Sequence, residues 1–358
     1  MSREKKYEID MCNGSIMDKL ISFALPLMLS GMLQLMFNAV DIVVVGRFSG
    51  SQSLAAVGAT TALIYLFTNL FIGISLGANV LAARYYAAGK HEEMSETVHT
   101  AMMFALISGI IMIFVGLFFS RLALEIMGTP SDVIDQATLY MRIYFLGMPF
   151  FMLYNYGAAI LRAVGDTKRP LIFLIISGVV NACLNMLLVI VFHLDVAGVA
   201  IATVTSQFIS CVLVIGCLYR TKSSYQLRFS RLKIQKEYLK PICQVGIPAG
   251  IQSTVINFSN ALLQSSVNSF GSTAMAGYTA ANNILGFLYA SVNAVTQACM
   301  SFTSQNFGVG KYKRVDLVLR DCMILTVGVS LVLVSNLEVL DSEFDEDGMY
   351  AGVRLAWN

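Results

Sequence analysis

The stretch LISFALPLMLSGMLQLMFNAVDIVVVG, residues 20–46, decides the fold of this chain. It contains one charged residue, Asp41, and exceeds the about 20 mostly apolar residues that a helix needs to cross a bilayer. Seven similar runs follow at 54–82, 98–119, 137–161, 171–192, 196–218, 241–267 and 274–303, and a weaker ninth run covers 315–334. The sequence therefore predicts a bundle of membrane-spanning helices.

The composition excludes most other classes of protein. Of the 358 residues, 56% are hydrophobic and 13% are charged, whereas soluble domains typically carry about 25% charged residues. A soluble enzyme or a disordered chain would need more polar residues, and a membrane β-barrel would show short alternating segments. We predict an all-α polytopic membrane protein.

The basic residues predict how the chain is oriented. Twenty of the 24 Lys and Arg residues lie in segments that share one side of the membrane with the N-terminus. The connections on the other side hold only Arg47 and Arg121. Because cytoplasmic connections are enriched in Lys and Arg, we expect a multi-pass protein of the cell membrane with a cytoplasmic N-terminus.

An internal repeat divides the chain into two lobes. Six runs precede a basic segment at 219–240, and an even number of spans makes the second copy enter the membrane in the same direction as the first. We predict two parallel-repeat helical lobes, a complete six-helix N-lobe and an incomplete C-lobe of about three helices. The matched pairs include Pro26 with Pro248, Asn38 with Asn260, Gly89 with Gly310 and Lys90 with Lys311.

The predicted boundaries follow from this repeat. They are a cytoplasmic N-terminus at 1–18, the N-lobe at 19–218, a basic cytoplasmic linker at 219–240, the partial C-lobe at 241–334 and an acidic tail at 335–358. The linker is a topology determinant or, alternatively, a docking segment for anionic lipid. We expect the helix to stop at the tail, which indicates a truncated or frame-altered C-terminus or, alternatively, a dedicated acidic tail.

Polar residues on one face of the first predicted helix point to a cavity. Gln34, Asn38 and Asp41 are spaced i, i+4 and i+7, so they share a helix face. An acid at membrane depth is costly and is associated with function by default. By the repeat, Asn260 corresponds to Asn38 and Asn257 lies on the same helix, so we predict that Gln34, Asn38, Asn257 and Asn260 line a substrate cavity.

A second set of polar residues is predicted to complete a cation site with Asp41. Asn181 and Asn185 are spaced i and i+4 in the fifth run, and Thr203 in the sixth run offers a hydroxyl. Carboxylate, amide and hydroxyl oxygens suit a hard monovalent cation, or a proton on the carboxylate. The alternative is that Asp41 is an interfacial residue hydrogen-bonded to the next loop.

Three stretches resemble the multidrug and toxic compound extrusion family. They are LPLMLSGMLQLMFNAVDIVVVGRFSGSQSLAAVG at 25–58, LRAVGDTKRP at 161–170 and NACLNMLLVIVFHLDVAGVAIATVTSQ at 181–207. The resemblance covers about residues 19–334 and leaves the acidic tail at 335–358 outside the family. It implies a twelve-helix fold and the cation site Asp41, Asn181, Asn185 and Thr203. Two positions depart from the family pattern: Asn185 stands where an Asp is frequent, and Ile256 stands where some members carry Glu.

The resemblance implies a secondary antiporter that exports organic, often cationic, compounds in exchange for H⁺ or Na⁺. We expect no enzyme activity, since the sequence lacks a nucleophile elbow, a phosphate-binding loop and HExxH. No cofactor other than the coupling ion is expected, and the expected partners are a small organic substrate and the lipid bilayer. We expect a monomer that binds no nucleic acid. The alternative function is flipping of a lipid-linked oligosaccharide by a related two-lobe family.

Overall fold

The computed structural model describes residues 7–268 and 272–341, and each of the nine predicted runs lies in helix. No strand occurs among these residues. A six-residue π-helix, Met186–Val191, continues the sixth α-helix. The α-helices are α1 (Ile16–Phe48), α2 (Gly50–Ala87), α3 (His91–Ile126), α4 (Ile134–Leu146), α5 (Met148–Ala163), α6 (Lys168–Asn185), α7 (Asp195–Arg220), α8 (Lys236–Asn268), α9 (Ser272–Gly308) and α10 (Tyr312–Asp341).

The fourth predicted span is a bent pair of helices. α4 and α5 meet at 49° around Gly147. Pro149 stands at the first turn of α5, where its missing N–H leaves no helical hydrogen bond unmade. The single apolar run at 137–161 therefore folds as two helices in one crossing.

Length and composition identify the helices that can cross a membrane. Among the described residues, five helices qualify: α1, α2, α3, α6 with its π extension, and α7. A sixth span results when α4 and α5 count as one. The same test selects none of α8, α9 and α10 among the described residues, although all three have the predicted helical structure. The all-α polytopic class is confirmed.

One predicted helix end is wrong. We expected the ninth helix to stop at Val334, but α10 continues to Asp341. Hydropathy reports which residues suit lipid, whereas a helix that has already formed gains a backbone hydrogen bond with each added residue regardless of polarity. The rest of the predicted acidic tail, residues 342–358, lies outside the described residues.

The two copies of the repeat make the same turn between their second and third helices. Gly89 has φ +68° and Gly310 has φ +73°, a left-handed conformation that glycine adopts without a Cβ clash. The N–H of the following lysine bonds back to the preceding helix in both turns, Lys90 at 3.0 Å and Lys311 at 2.9 Å. The aligned glycines and lysines thus occupy equivalent positions in the fold.

The first helix of each repeat packs against the other repeat. The start of α1 shares an apolar core with α9 and α10, and the start of α8 joins the core of α2 to α5 and α7. Glycines let α8 approach the backbone of α2, because a Cβ at these positions would overlap main-chain atoms of the opposite helix. They form two GxxxG pairs, Gly73 with Gly77 and Gly246 with Gly250.

The basic connections meet at one end of the bundle, here called the basic end. Tyr86 near the end of α2 and Tyr225 in the linker each donate a hydrogen bond of 2.8 Å to Glu8. Ile9 donates to the turn between α5 and α6, and Lys311 before α10 donates to the same N-terminal segment. Five segments predicted to share one side therefore lie together.

Large apolar side chains cover the outside of the helices. Phe118 is 73% exposed and Leu331 is 65% exposed, and many Ile, Leu and Val side chains accompany them. Such a surface is unstable in water and is stable when lipid chains cover it. The outer surface agrees with a multi-pass membrane protein.

Candidate functional site

The site begins with a close approach of α1 and α6. Gly178 lies directly against the Phe37 ring, and a Cβ at that glycine would overlap the ring. On α1, Asp41 follows Phe37 by one helical turn, and on α6, Asn181 and Asn185 follow Gly178 on the same face. The small residue thus lets the polar residues of both helices meet.

Asp41 and the two asparagines form a hydrogen-bonded group. The side-chain amide of Asn185 donates to a carboxylate oxygen of Asp41 and, at 3.3 Å, to Oδ1 of Asn181. Asn185 is fully buried, Asn181 is 6% exposed and Asp41 is partly buried. The structure thus brings together three of the four residues predicted to bind a cation. Asp41 bonds to a neighbouring helix, which differs from the predicted alternative of a bond to the next loop.

The group retains oxygen atoms that accept no hydrogen bond. Oδ1 of Asn185 and Oγ1 of Thr203 are buried without a hydrogen-bond partner among the described residues, as is Oε1 of Gln207 on the same helix as Thr203. Buried polar atoms are nearly always paired, so unpaired acceptors indicate a missing donor, water or ion. Carboxylate and amide oxygens with spare lone pairs suit a hard monovalent cation. No hydrogen bond joins Thr203 to Asp41 in the described part of the chain.

The four residues predicted to line a substrate cavity lie on α1 and α8. Gln34, Asn38, Asn257 and Asn260 are all exposed at the surface of their helices. Asn38 lies beside the Tyr65 side chain of α2, and Asn257 donates to the Ser253 carbonyl of its own helix at 2.9 Å. Their role in substrate binding stays a prediction.

Sequence reasoning missed the tyrosines around the carboxylate. Tyr140 and Tyr144 of α4 stack with ring centroids 6.2 Å apart, and both lie near Asp41. Tyr65 of α2 lies near both of these tyrosines. One signal was present, because Tyr140 and Tyr144 are spaced i and i+4 on one helix face, but spacing alone does not identify the facing helix.

The helix that carries the asparagines changes its winding directly after them. The π-helix Met186–Val191 begins at the residue following Asn185. Single π turns inside α-helices are rare and occur frequently at functional sites. The polar group therefore lies at the junction between α-helical and π-helical winding in this span.

The donor set differs from that of a multivalent metal site. Within residues 7–268 and 272–341, no three His, Cys, Asp or Glu side chains come together as ligands. Asp41 therefore contributes one carboxylate among neutral oxygens, a set that matches a single positive charge better than two.

A protein-family comparison assigns most of the chain to one family. The family model MatE matches residues 26–187 and 248–340, so the second match extends six residues into the tail that we predicted to lie outside the family. The chain is 30% identical to the "Probable multidrug resistance protein YoeA" of Bacillus subtilis (strain 168), with 93% of this chain and 75% of that protein covered. It is 22% identical to the "Multidrug export protein MepA" of Staphylococcus aureus (strain MW2), with 93% and 73% covered.

Solved structures agree with this fold. One, described as an outward-facing conformation of a multidrug resistance MATE family transporter, superposes with a TM-score of 0.87 at 20% identity and covers 93% of this chain and 74% of its own. A second, a transporter from Pyrococcus furiosus, gives a TM-score of 0.84 at 21% identity and covers 91% and 72%. The family match agrees with the prediction of a transporter and not an enzyme, and the chain belongs to the MatE family of membrane transporters.

Proposed function

We propose that this protein exports organic, often cationic, compounds in exchange for H⁺ or Na⁺ bound at Asp41. The observation that carries the proposal is the buried amide of Asn185 bonded to the Asp41 carboxylate, with an acceptor oxygen left over. Relatives named for multidrug resistance or multidrug export supply the substrate class.

The chemistry follows from the charge on one carboxylate. Without a cation, Asp41 is an anion that binds the Asn185 amide and holds α6 against α1. Protonation removes that charge and weakens the hydrogen bond. Sodium keeps the carboxylate charged but attracts the side-chain oxygens of Asn181 and Asn185, which turns the Asn185 amide. Either event changes the contact between α1 and α6.

We propose that this change drives alternating access. The two repeats touch at the basic end, where Gly308 at the end of α9 lies against the Arg84 carbonyl near the end of α2 and leaves no room for a Cβ. The Lys and Arg bias supports assigning this end, and with it the N-terminus, to the cytoplasm of a cell membrane. Cation binding at Asp41 would then favour release of the substrate outward, and loss of the cation would reset the protein. We propose that one copy of the chain is the working unit.

A matched pair of variants tests the proposal. Asp41→Asn removes the charge that binds the cation, and Asp18→Asn removes an exposed acid from the first turn of the same helix. In proteoliposomes with an imposed pH or Na⁺ gradient, Asp41→Asn should abolish gradient-driven efflux of ethidium and Asp18→Asn should retain it. Equal efflux by Asp41→Asn and the parent at equal reconstitution would overturn the role of Asp41.

A binding measurement distinguishes Na⁺ from H⁺ as the coupling ion. Isothermal titration of Na⁺ into the purified protein should give heat that is absent in Asp41→Asn if Na⁺ is the ion. An absence of heat in both proteins, combined with efflux that follows a pH gradient, would assign the proton.

A further inference from the structure

The chain before α1 crosses the basic end between the two repeats. Residues 7–14, here called the strap, are not helical. Toward the first repeat, Glu8 accepts hydrogen bonds of 2.8 Å from both Tyr86 and Tyr225. The N–H of Ile9 donates to the Gly165 carbonyl at 3.3 Å, and this glycine leaves no room for a Cβ beneath the strap. One half of the strap is thus fastened to the first repeat.

The other half of the strap is fastened to the second repeat. Lys311 donates 2.9 Å bonds to the Cys12 carbonyl and to Oδ1 of Asn13. Arg314 donates to the Gly14 carbonyl at 2.8 Å. These two basic residues belong to the turn between α9 and α10 and to the start of α10. The other half of the strap is thus joined to the second repeat by three hydrogen bonds from charged donors.

A buried side chain anchors the middle of the strap. Met11 is fully buried in the apolar core that α1 shares with α9 and α10, the core that contains Phe23 and Phe302. Its carbonyl accepts a 3.1 Å bond from Asn306 of α9. Burying a whole apolar side chain stabilises the folded contact, so the anchor is apolar as well as polar.

The strap is held in its bent shape by its own residues. The Asp10 carboxylate accepts bonds of 3.0 Å from the N–H of Cys12 and from the Asn13 amide. Lys19 of α1 donates 2.7 Å bonds to the carbonyls of Asp10 and Asn13. These bonds lie within the strap and α1, so they order the segment without help from the other helices, which lowers the entropy cost of its attachments.

The spacing of the attachments limits how far the repeats can separate. Ile9 is bound to the first repeat and Met11 to the second, and three residues reach at most about 10 Å when fully extended. A larger opening at the basic end would have to pull one of these residues from its site.

We propose that the strap is a latch that holds the basic end closed and must leave one repeat before that end opens. The latch rests on the proposed alternating access, since it regulates the opening that such transport requires. Its two attachments act in series, so loss of either one allows the basic end to open. If the strap only stabilised the fold, the effects of losing the two attachments would instead add in a double variant.

Spin-label distances test the latch without any transport. Labels at His91→Cys and Lys313→Cys, exposed residues at the starts of α3 and α10, report the gap at the basic end once the seven native cysteines are replaced. In lipid nanodiscs we expect Glu8→Ala and Lys311→Ala each to raise the long-distance population severalfold. The double variant should raise it no further than the larger single effect.

Lys233→Ala is the matched control. It removes another lysine of the basic end, one that pairs with Glu96 at 3.7 Å and does not contact the strap, and the distances should not change. Unchanged distances in Glu8→Ala and Lys311→Ala, additive effects in the double variant, or an equal effect of Lys233→Ala would overturn the latch. Melting temperatures of each variant identify loss of folding.

A cross-link can replace one attachment of the strap. Sγ of Cys12 lies 3.9 Å from Oε1 of Gln305 on α9, so Gln305→Cys places two thiols together. In the Lys311→Ala background the disulfide restores the attachment to the second repeat, so oxidation should return ethidium efflux to the parental rate and dithiothreitol should reverse this. In the Glu8→Ala background the attachment to the first repeat stays lost, so oxidation should not change efflux. Equal responses to oxidant in the two backgrounds would contradict the latch even if Asp41 proved to bind the cation.

Discussion

Phe37 lies directly against Gly178 at the point where α1 and α6 approach each other. The ring occupies the space that a larger side chain at position 178 would need. Asp41 and Asn185 meet beyond this contact, toward the ends of the same two helices. The glycine therefore sets the distance at which the carboxylate and the amide can bond.

We predict that Gly178→Leu separates Asp41 from Asn185. The added side chain must displace Phe37, and overpacking of this kind costs about 1–3 kcal/mol. The melting temperature in detergent should fall and Asp41-dependent efflux should be lost. Gly216→Leu is the control, because no atom lies within 4 Å of a Cβ at Gly216 of α7. Equal behaviour of the two variants would show that Gly178 does not set the distance.

Gly77→Val should loosen the interface between α2 and α8. A Cβ at Gly77 would overlap the Ile242 carbonyl, so the helices must move apart. We expect the same long-distance population at the basic end that strap variants produce, measured by the same labels. Gly58→Val, in open space on the same helix, should keep the parental distances. A parental distribution in Gly77→Val would mean that the helix contact does not close this end.

Asp166→Asn should be strongly destabilising. Asp166 is fully buried and paired with Arg169, which is itself only 16% exposed, and the variant leaves a cation without its counter-charge. Breaking a buried pair from one side costs about 3–5 kcal/mol. The melting temperature measures this loss. Asp135→Asn breaks the exposed pair with Arg121 at the opposite end and should leave the melting temperature unchanged; comparable losses in both variants would contradict the argument.

His99→Phe should free the linker from α3. His99 is 1% exposed, its Nδ1–H donates to the Ser95 carbonyl at 2.6 Å, and its Nε2 accepts from the Arg228 N–H at 3.0 Å. Loss of a buried hydrogen bond costs about 1–3 kcal/mol, so trypsin should cut after Arg228 faster. His91→Phe replaces an exposed histidine near the start of the same helix and should not change the rate. An unchanged rate in His99→Phe would mean that this bond does not hold the linker.

The parts of the site that sequence predicted are those that helix periodicity fixes. Asn181 and Asn185 share a helix face because they are four residues apart. An acid in an apolar run requires polar neighbours, so the contact of these asparagines with Asp41 could be predicted from the sequence. The positions of Tyr65 and Tyr140 near Asp41 could not be predicted, because periodicity shows which residues share a helix face and does not show which helix lies opposite that face.

Other features of the structure were not predicted from the sequence, for different physical reasons. The end of α10 at Asp341 was missed because hydropathy reports lipid contact and not helix formation. The strap has no periodicity, and its bonds join residues nearly the whole chain apart, such as Asn13 and Lys311. The GxxxG pair of Gly73 and Gly77 was visible in the sequence and could have predicted a close helix contact.

The exchange of first helices between the repeats has a consequence for biosynthesis. α1 is made first, yet the core that covers its beginning comes from α9 and α10. At about 5–20 residues per second, the ribosome needs on the order of tens of seconds to supply them. During that interval the beginning of α1 lies in the bilayer before α9 and α10, which cover it in the folded protein, have been made. The beginning of α1 therefore reaches its native packing only late in translation, after α9 and α10 of the second repeat have been inserted.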